Sequence, residues 1–500
     1  MSRRLTAGLA VLALAVPVIP AVPAHARATG AVTPAAAWHN ASLPRTNFPL
    51  GVPAKAKQSR VTVAPGIDLF TVRHGTPTDG YTVSVLMRGK ATTNSLATAE
   101  EAAAAVADIG VEPVIQRVVV PAVADYPPQT LYMVRIGSWP LKQRAKAEKV
   151  VKQLKQFGIS AVVDYLGDDG LDTTGPWDLR ILTVDPRRFR GSYQASLGTG
   201  TGKRETVSAM GKKLGAIAGV NGGFFSIHAP AAFRGDPTGI SVVGGRLLSE
   251  AVPGRTALVL RGRQVRVTEL KTTITVKSAD NASLRVAGVN RVPAADELIL
   301  YTEELGTKTP ADGGTEVVLD ASGKVIQVRD AGGPVKKGTR VLHGVGTAAD
   351  WLWAHAWEGW TLKVTSTVTD LRTGKRLPLT PDTHIIGGTV RLLRNGKEQI
   401  TAAANGHASL NMILRRHPRT LAGVTKDGRL ILVTVDGRRP GETVGASMKE
   451  AARLMRWLGA WEAVNLDGGG STTMVVRGKV VNRPSDGAER PVGDGLFIVP

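Results

Sequence analysis

Residues 461–476 read Trp461-Glu462-Ala463-Val464-Asn465-Leu466-Asp467-Gly468-Gly469-Gly470-Ser471-Thr472-Thr473-Met474-Val475-Val476. An apolar stretch from Trp461 to Val464 runs into three consecutive glycines and leaves through the strand Met474-Val475-Val476. A hairpin turn is the plain reading of glycine between strands, but three glycines after Asn-x-Asp exceed what a turn needs. Glycines let the backbone approach a ligand closely and can turn N–H groups toward phosphate or a developing oxyanion. Asp467 sets a carboxylate at the mouth of this loop, and Ser471 and Thr472 add hydroxyl donors. No lysine follows in the register of a Walker-type loop.

Four further segments combine with it. Val220-Asn221-Gly222-Gly223-Phe224-Phe225 follows a buried strand, and Asn-Gly alone signals a hairpin. His417-Pro418-Arg419-Thr420 precedes an apolar run, and Val435-Asp436-Gly437-Arg438 ends one. Asn482-Arg483-Pro484-Ser485-Asp486 is followed by Glu489-Arg490. Singly, each is a turn or a solvated surface group. Together they offer neutral donors, bidentate contacts to a phosphodiester from Arg419, Arg438 and Arg490, and Asp467 and Asp436 as general acid and base.

Outward from these motifs, residues 175–500 read as a long α+β domain of short strands with Gly/Asn/Asp turns. A short helix is expected over 206–214 and a late amphipathic one with Val444, Met448, Ala451, Ala452, Met455 and Leu458 on one face. Two strands flank Pro65-Gly66 near residues 60–72. Between them and the long domain lies a duplicated strand–helix–strand pattern: Tyr81–Leu86, a helix over 98–107, Pro113–Val120, then Leu131–Ile136, a helix over 142–157, and Ile159–Tyr165. Two copies make a four-stranded, ferredoxin-like sheet with helices on one face and the other face open for binding.

The chain has 500 residues, long enough for two or three domains. Its formal net charge of +22 favours polyanionic partners, and the absence of cysteine excludes disulfides, thiolate metal sites and cysteine nucleophiles. Arg3 and Arg4, an apolar run to Val22 and Ala24-His25-Ala26 form the pattern of a secretory signal peptide over 1–26. Its removal takes two positive charges, leaving 22 − 2 = +20. Residues 27–58 read as a linker. Export disfavours nucleic acid and favours anionic envelope polymers, with no transmembrane segment after cleavage.

The motifs Asn-Gly-Gly-Phe-Phe, Pro-Arg-Thr, Asp-Gly-Arg, Asn-Leu-Asp-Gly-Gly-Gly-Ser-Thr-Thr and Val-Val-Asn-x-Pro-Ser-Asp occur in that order. This series resembles the phosphodiester glycosidase family, which hydrolyses the bond between a sugar's anomeric carbon and phosphate. The resemblance implies a mixed-sheet α+β domain over 170–500, opened by strands at 59–79. It carries Asn221, Arg419, Asp436, Arg438 and Asp467 over as catalytic residues. Gly222, Gly223, Thr420, Gly468, Gly469, Gly470, Ser471, Thr472 and Arg490 follow as substrate-binding residues. The glycine amides and arginines are expected to stabilise the leaving phosphate, with Asp467 assisting water or an oxocarbenium-like centre.

Tyr132-x-Val134-x-Ile136-Gly137-Ser138-Trp139 and the helix after it resemble the sporulation-related repeat (SPOR) domain, which binds naked peptidoglycan strands. The resemblance covers 80–169, makes this unit an insertion in the catalytic domain, and offers Arg135 and Trp139 as glycan contacts. An exported wall-associated enzyme is the resulting expectation. Its substrate would be an N-acetylglucosamine-type 1-phosphodiester in an anionic cell-wall glycopolymer. A non-catalytic wall protein and an exopolysaccharide hydrolase are the alternatives. No cofactor is expected, and a divalent metal is left open. Trp351, Trp353, Trp357 and Trp360 are expected in the core, His384, His407 and His417 in structural roles, and Gly198–Gly202 in a flexible loop.

Overall fold

Alternating apolar residues on either side of Pro65-Gly66 set up two antiparallel strands, Lys57–Ala64 and Ile67–His74. The computed structural model describes residues 42–306 and 308–500. The expected signal peptide and residues 27–41 of the expected linker lie outside that range. Trp177–Val184, buried at every position, pairs antiparallel with Ile67–His74 along its whole length, from His74 opposite Trp177 to Ile67 opposite Val184. The hundred or so residues between these strands are therefore an excursion from one sheet. That sheet has eight strands and continues from Trp177–Val184 through Leu430–Val435, Arg419–Val424 and Glu462–Asn465.

A five-stranded sheet packs against it, with Ala218–Asn221 between Met474–Val476 and Gly495–Val499. Leu182, Leu432 and Val464 of the first sheet meet Val220, Met474 and Leu496 of the second in one dry core. Leu258, Leu260 and Ile386 join that core from a third, eight-stranded sheet. A fourth sheet, of five strands, spans Gly288–Val289 to Arg340–Gly344 and carries its own core around Leu300, Val317, Leu342 and Leu352. The described residues are 16% helix and 39% strand, a β-rich α/β fold. Among the described residues no helix is long and apolar enough to cross a membrane.

The excursion holds a sheet in the order Val114–Val120, Gln129–Trp139, Tyr81–Val85, Ala161–Tyr165, with all pairs antiparallel. Helices Leu96–Ala107 and Arg144–Gln156 accompany it. Ser95 caps the first, its Oγ accepting from Thr98 N. The face expected to be open is covered. Val118 and Met133 pack on Leu414, with Leu171 and Leu410 beside them. Ser84, Arg135 and Asp164 alternate like solvent-facing residues, yet all are buried. They are satisfied by partners from elsewhere in the chain, Asp164 by Arg415 and Arg135 by Asp169. Arg135 is thus an internal ion pair rather than a displayed glycan contact. Trp139, half-buried, lays its ring over Gly137.

Three other expectations fail on packing. The described part of 27–58 is no free linker, because Leu43, Phe48 and Leu50 are buried and Phe48 packs on His74, Trp177 and Trp457. Of the four clustered tryptophans, Trp351 packs half-buried on the fourth sheet's core, Trp360 is half-buried, and the other two are exposed. Helix Thr347–His355 buries Ala348 and Leu352 instead, leaving Trp353 60% and Trp357 58% exposed. Gly198–Gly202 is anchored, with Thr201 buried and donating from its N–H to Glu304 O. The late helix runs Met448–Trp457, opened by a Ser447/Glu450 capping box, so Val444 precedes it.

Candidate active site

The pairing registers bring five chain segments to one place. In the first sheet Arg419 stands opposite Val435 and Leu421 opposite Asn465, so Arg419, Asp436 and the Asp467 loop emerge at the same sheet end. In the second sheet Gly495 stands opposite Asn221 and Met474 opposite Val220. Asn221 joins the two. Its amide donates to Asp467 O (2.9 Å), and its carbonyl accepts from Thr420 Oγ1 (2.6 Å) and Thr473 N (3.1 Å). Fully buried, with its amide and its carbonyl both engaged, Asn221 ties the Asp467 loop to the neighbouring strands. Thr420 is buried beneath it.

Asp467 accepts from Gly468 N at 2.8 Å, and the Ser471 hydroxyl lies near without an aligned hydrogen bond. Burial raises its pKa to about 6, against the opposing pull of these donors and of Arg490 and Arg438. Asp494, which no sequence motif singled out, is buried beside the Asn-Gly-Gly turn. Its Oδ1 accepts from Gly223 N (2.8 Å), and its backbone carbonyl accepts from Gly222 N (2.9 Å). A Cβ on Gly222 would stand 2.4 Å from Asp494 Oδ1, so only glycine admits this carboxylate. Burial, with a further push from the Asp467 charge, raises Asp494 to about 7.

Asp436 is raised to about 6 by burial but faces elsewhere. Its Oδ1 and Oδ2 accept from Asn482 Nδ2 (3.0 Å) and Arg483 N (2.9 Å). Asn482 also donates to Thr472 O, so Asp436 fastens the 482–483 turn to the glycine loop. Both oxygens of Asp436 are thus engaged within the protein.

The cations surround the loop. Arg419 is 2% exposed, and its hydrogen bonds go to two carbonyls, Ala446 O (2.9 Å) and Met412 O (3.1 Å). Burial first, then Arg438, lowers its pKa to about 9. Arg438 is exposed and donates to His417 Nδ1 at 3.1 Å, while His417 Nε2 donates to Asn411 O at 2.7 Å. Burial and then Arg419 push His417 down to about 3, so it is a neutral imidazole in the site itself. His407 packs tilted against Phe224 with ring centroids 5.2 Å apart, and burial with Arg255 and Arg419 lowers it to about 4. His384 is structural, accepting at Nδ1 from Ala195 N and Gly244 N.

The glycine loop works differently from an amide nest. Gly468 N is taken by Asp467 and Gly469 N by Pro418 O (2.9 Å), so Gly470 N alone among the three has no acceptor within the described residues. The glycines serve instead as clearance. Cβ atoms would meet Pro418 O at 2.6 Å from Gly468 and Arg438 Nη1 at 3.0 Å from Gly469. From Gly470, a Cβ would meet Arg490 Nη2 at 2.0 Å. Arg490 is held there by Asp486, at 2.5 and 2.8 Å. Ser471, Thr472 and Thr473 have buried hydroxyls without partners. No group of three or more His, Asp or Glu among the described residues is arranged to hold a metal.

Residues 313–499 match the phosphodiester glycosidase family, a span that includes Arg419, Arg438, Asp467, Arg490 and Asp494 but not Asn221. This part of the chain carries a phosphodiester glycosidase-type domain. Over nearly its whole length the chain belongs to one family with a Burkholderia pseudomallei protein provisionally described as exported. The two are 30% identical with a TM-score of 0.80, over 92% of this chain and 99% of that one. Curated relatives match over shorter segments. A prophage-derived uncharacterized protein of Bacillus subtilis is 39% identical over 107 residues, 21% of this chain and 16% of its own. The mouse N-acetylglucosamine-1-phosphodiester alpha-N-acetylglucosaminidase is 32% identical over 117 residues, 22% of each. The chain thus spans about a fifth of these relatives. A Synechocystis protein with a TM-score of 0.55 at 16% identity shares the fold, over 91% of this chain and 81% of that one.

Proposed function

We propose that this protein hydrolyses sugar 1-phosphodiesters by cleaving the bond between the anomeric carbon and the bridging oxygen. The observation that carries the reading is Arg419. A buried guanidinium bonded only to carbonyls, with Arg438 beside it, has no directly bonded counter-ion, because Glu450, the acid that acts on it, is bonded to Arg416, and such a charge is costly unless a ligand completes it. A phosphodiester anion supplies the missing charge. Arg490, cleared into place by Gly470, adds a third cation at the loop.

In this reading water adds to the anomeric carbon as the bond to the bridging oxygen breaks. The electron pair leaves with the phosphate, and the water proton passes to the Asp467 carboxylate. The growing charge on the phosphate is met by Arg419 and Arg438, so the leaving group needs little protonation. Asp494 stays largely protonated below pH 7 and keeps a second negative charge away from Asp467.

The finer reading is an exported enzyme of the cell envelope acting on N-acetylglucosamine-type linkages. Its support is the leader-like sequence, the +20 charge left after its removal and the relative provisionally described as exported. Retention on an anionic wall rests on that charge, since the sheet face of the inserted unit is covered. The test is release of reducing sugar from an N-acetylglucosamine 1-phosphodiester by wild type and by Asp467→Asn. Turnover absent from the variant supports the assignment; equal turnover removes Asp467 from the mechanism.

A further inference from the structure

One short segment of the chain faces two ways. Arg415 and Arg416 grip the inserted unit, while His417 and Arg419 belong to the site. Arg415 Nη2 and Nη1 bind Asp164 Oδ1 (2.5 Å) and Oδ2 (3.1 Å), and Ser84 Oγ donates to the same carboxylate at 2.9 Å. Arg416 donates from its backbone N to Asp168 O (2.9 Å) and from its side chain to Gly167 O (3.1 Å) and Leu171 O (2.7 Å). The neighbour of Asp164 reaches the other arginine-bearing loop. Gly441 N donates to the Tyr165 hydroxyl at 3.2 Å, and Gly441 follows Arg438 in the loop between Asp436 and Ser447. That approach is tight, because a Cβ on Gly441 would stand 2.3 Å from Leu141 Cδ2 of the inserted unit. The last strand of the insert, Ala161–Tyr165, therefore touches both loops that present cations to the candidate phosphate site.

We infer that Asp164 and Tyr165 are positioning residues for the reaction proposed above, an inference that rests on that reading. Asp164 acts through Arg415 on His417 and Arg419; Tyr165 acts through Gly441 on Arg438. The inserted unit is then a working wall of the active site rather than an appended module. Arg438 and His417 are hydrogen-bonded to each other, so the two grips converge on one pair of side chains. Displacing reacting groups by about 1 Å costs on the order of 100-fold in rate.

The test uses the full chain, with Asp164→Asn and the milder Tyr165→Phe, which removes one oxygen and keeps the ring. Two quantities are read: kcat and KM on an N-acetylglucosamine 1-phosphodiester, and the dissociation constant of inorganic phosphate by calorimetry. Tyr165→Phe is expected to raise KM and weaken phosphate binding, each by about 5- to 10-fold, with melting temperature within about 2 °C of wild type. Asp164→Asn is expected to exceed that on both. A purely structural role would lower kcat through a smaller folded fraction and leave KM unchanged. Wild-type KM and wild-type phosphate affinity in Tyr165→Phe overturn the inference, as does wild-type protein that binds no phosphate. If the wild type binds phosphate but does not turn over the diester, the proposed reaction fails, and the phosphate measurements still decide whether these residues position the cations.

Discussion

Gly470→Ala isolates the cation that sits on the glycine loop. Gly470 has no left-handed φ, so alanine fits the backbone and the whole effect is steric. Its Cβ would stand 2.0 Å from Arg490 Nη2 and 2.2 Å from Asp486 Oδ2, where ordinary contact begins at 3.4 Å. The pair must retreat by 3.4 − 2.0, about 1.4 Å. Both side chains are over a third exposed and can swing outward, so stability should change by under ~1 kcal/mol. For a phosphate at roughly 4 Å and an effective dielectric of about 20, Coulomb attraction falls from ~4.2 to ~3.1 kcal/mol on that retreat. The bonded Asp486 carboxylate retreats with Arg490 and offsets part of that loss, so ~1.1 kcal/mol, about 6-fold in kcat/KM, is the upper bound. Steady-state kinetics on a sugar 1-phosphodiester, with thermal melting in parallel, reads both quantities. Full activity with unchanged melting would refute the placement of Arg490 at the substrate.

Other outcomes follow from the same geometry. Arg419→Ala should lose about 100- to 1,000-fold in kcat/KM, measured on the same diester, because it removes the buried cation proposed to meet the leaving phosphate. The rate should rise as pH passes upward through about 6, since Asp467 acts as the carboxylate; a pH–rate profile flat from 5 to 8 would count against it. Asp236 lies outside the site, is buried, and is raised to about 8 by burial and by Glu250. Its folded state holds a proton that the unfolded state gives up near pH 4, so its contribution is intact below that and is lost as pH rises toward 8. Asp236→Asn should therefore melt higher than wild type at pH 8.5 and lose that advantage near pH 4, as calorimetry would show. Trp353→Ala and Trp357→Ala should each shift the melting temperature by less than about 2 °C, where a core tryptophan would cost about 3–5 kcal/mol.

Local sequence revealed the motifs but not what each side chain meets. The run Asp467–Thr472 was legible because three glycines in a row serve no ordinary turn. The excursion at 81–165 was legible because its apolar period switches between two and three or four residues. The partners of Asp436 are hidden in sequence, where Asp-Gly-Arg shows only an acid beside a cation. Its carboxylate is claimed by Asn482 and Arg483, nearly fifty residues away in sequence. Asp494 was missed for the converse reason. Gly493-Asp494-Gly495 reads as a turn before the last strand, and only the pairing of Gly495 with Asn221 carries it to the Gly222–Gly223 turn. His417 looked structural because a lone histidine usually is; its neutrality comes from burial beside Arg419 and Arg438, a tertiary effect. The polar face of the inserted sheet failed likewise, since alternation predicts exposure only until another part of the chain supplies matching ions.

The most direct test of the central claim is the position of bond cleavage. A purified N-acetylglucosamine 1-phosphodiester is incubated with the full chain in ¹⁸O-labelled water, and the products are read by mass spectrometry and phosphorus NMR. Hydrolysis at the anomeric carbon predicts label in the released reducing sugar and an unlabelled phosphomonoester in equal amount. Label in the phosphate instead would mean attack at phosphorus, and would contradict the assignment of Asp467 and the arginines made above.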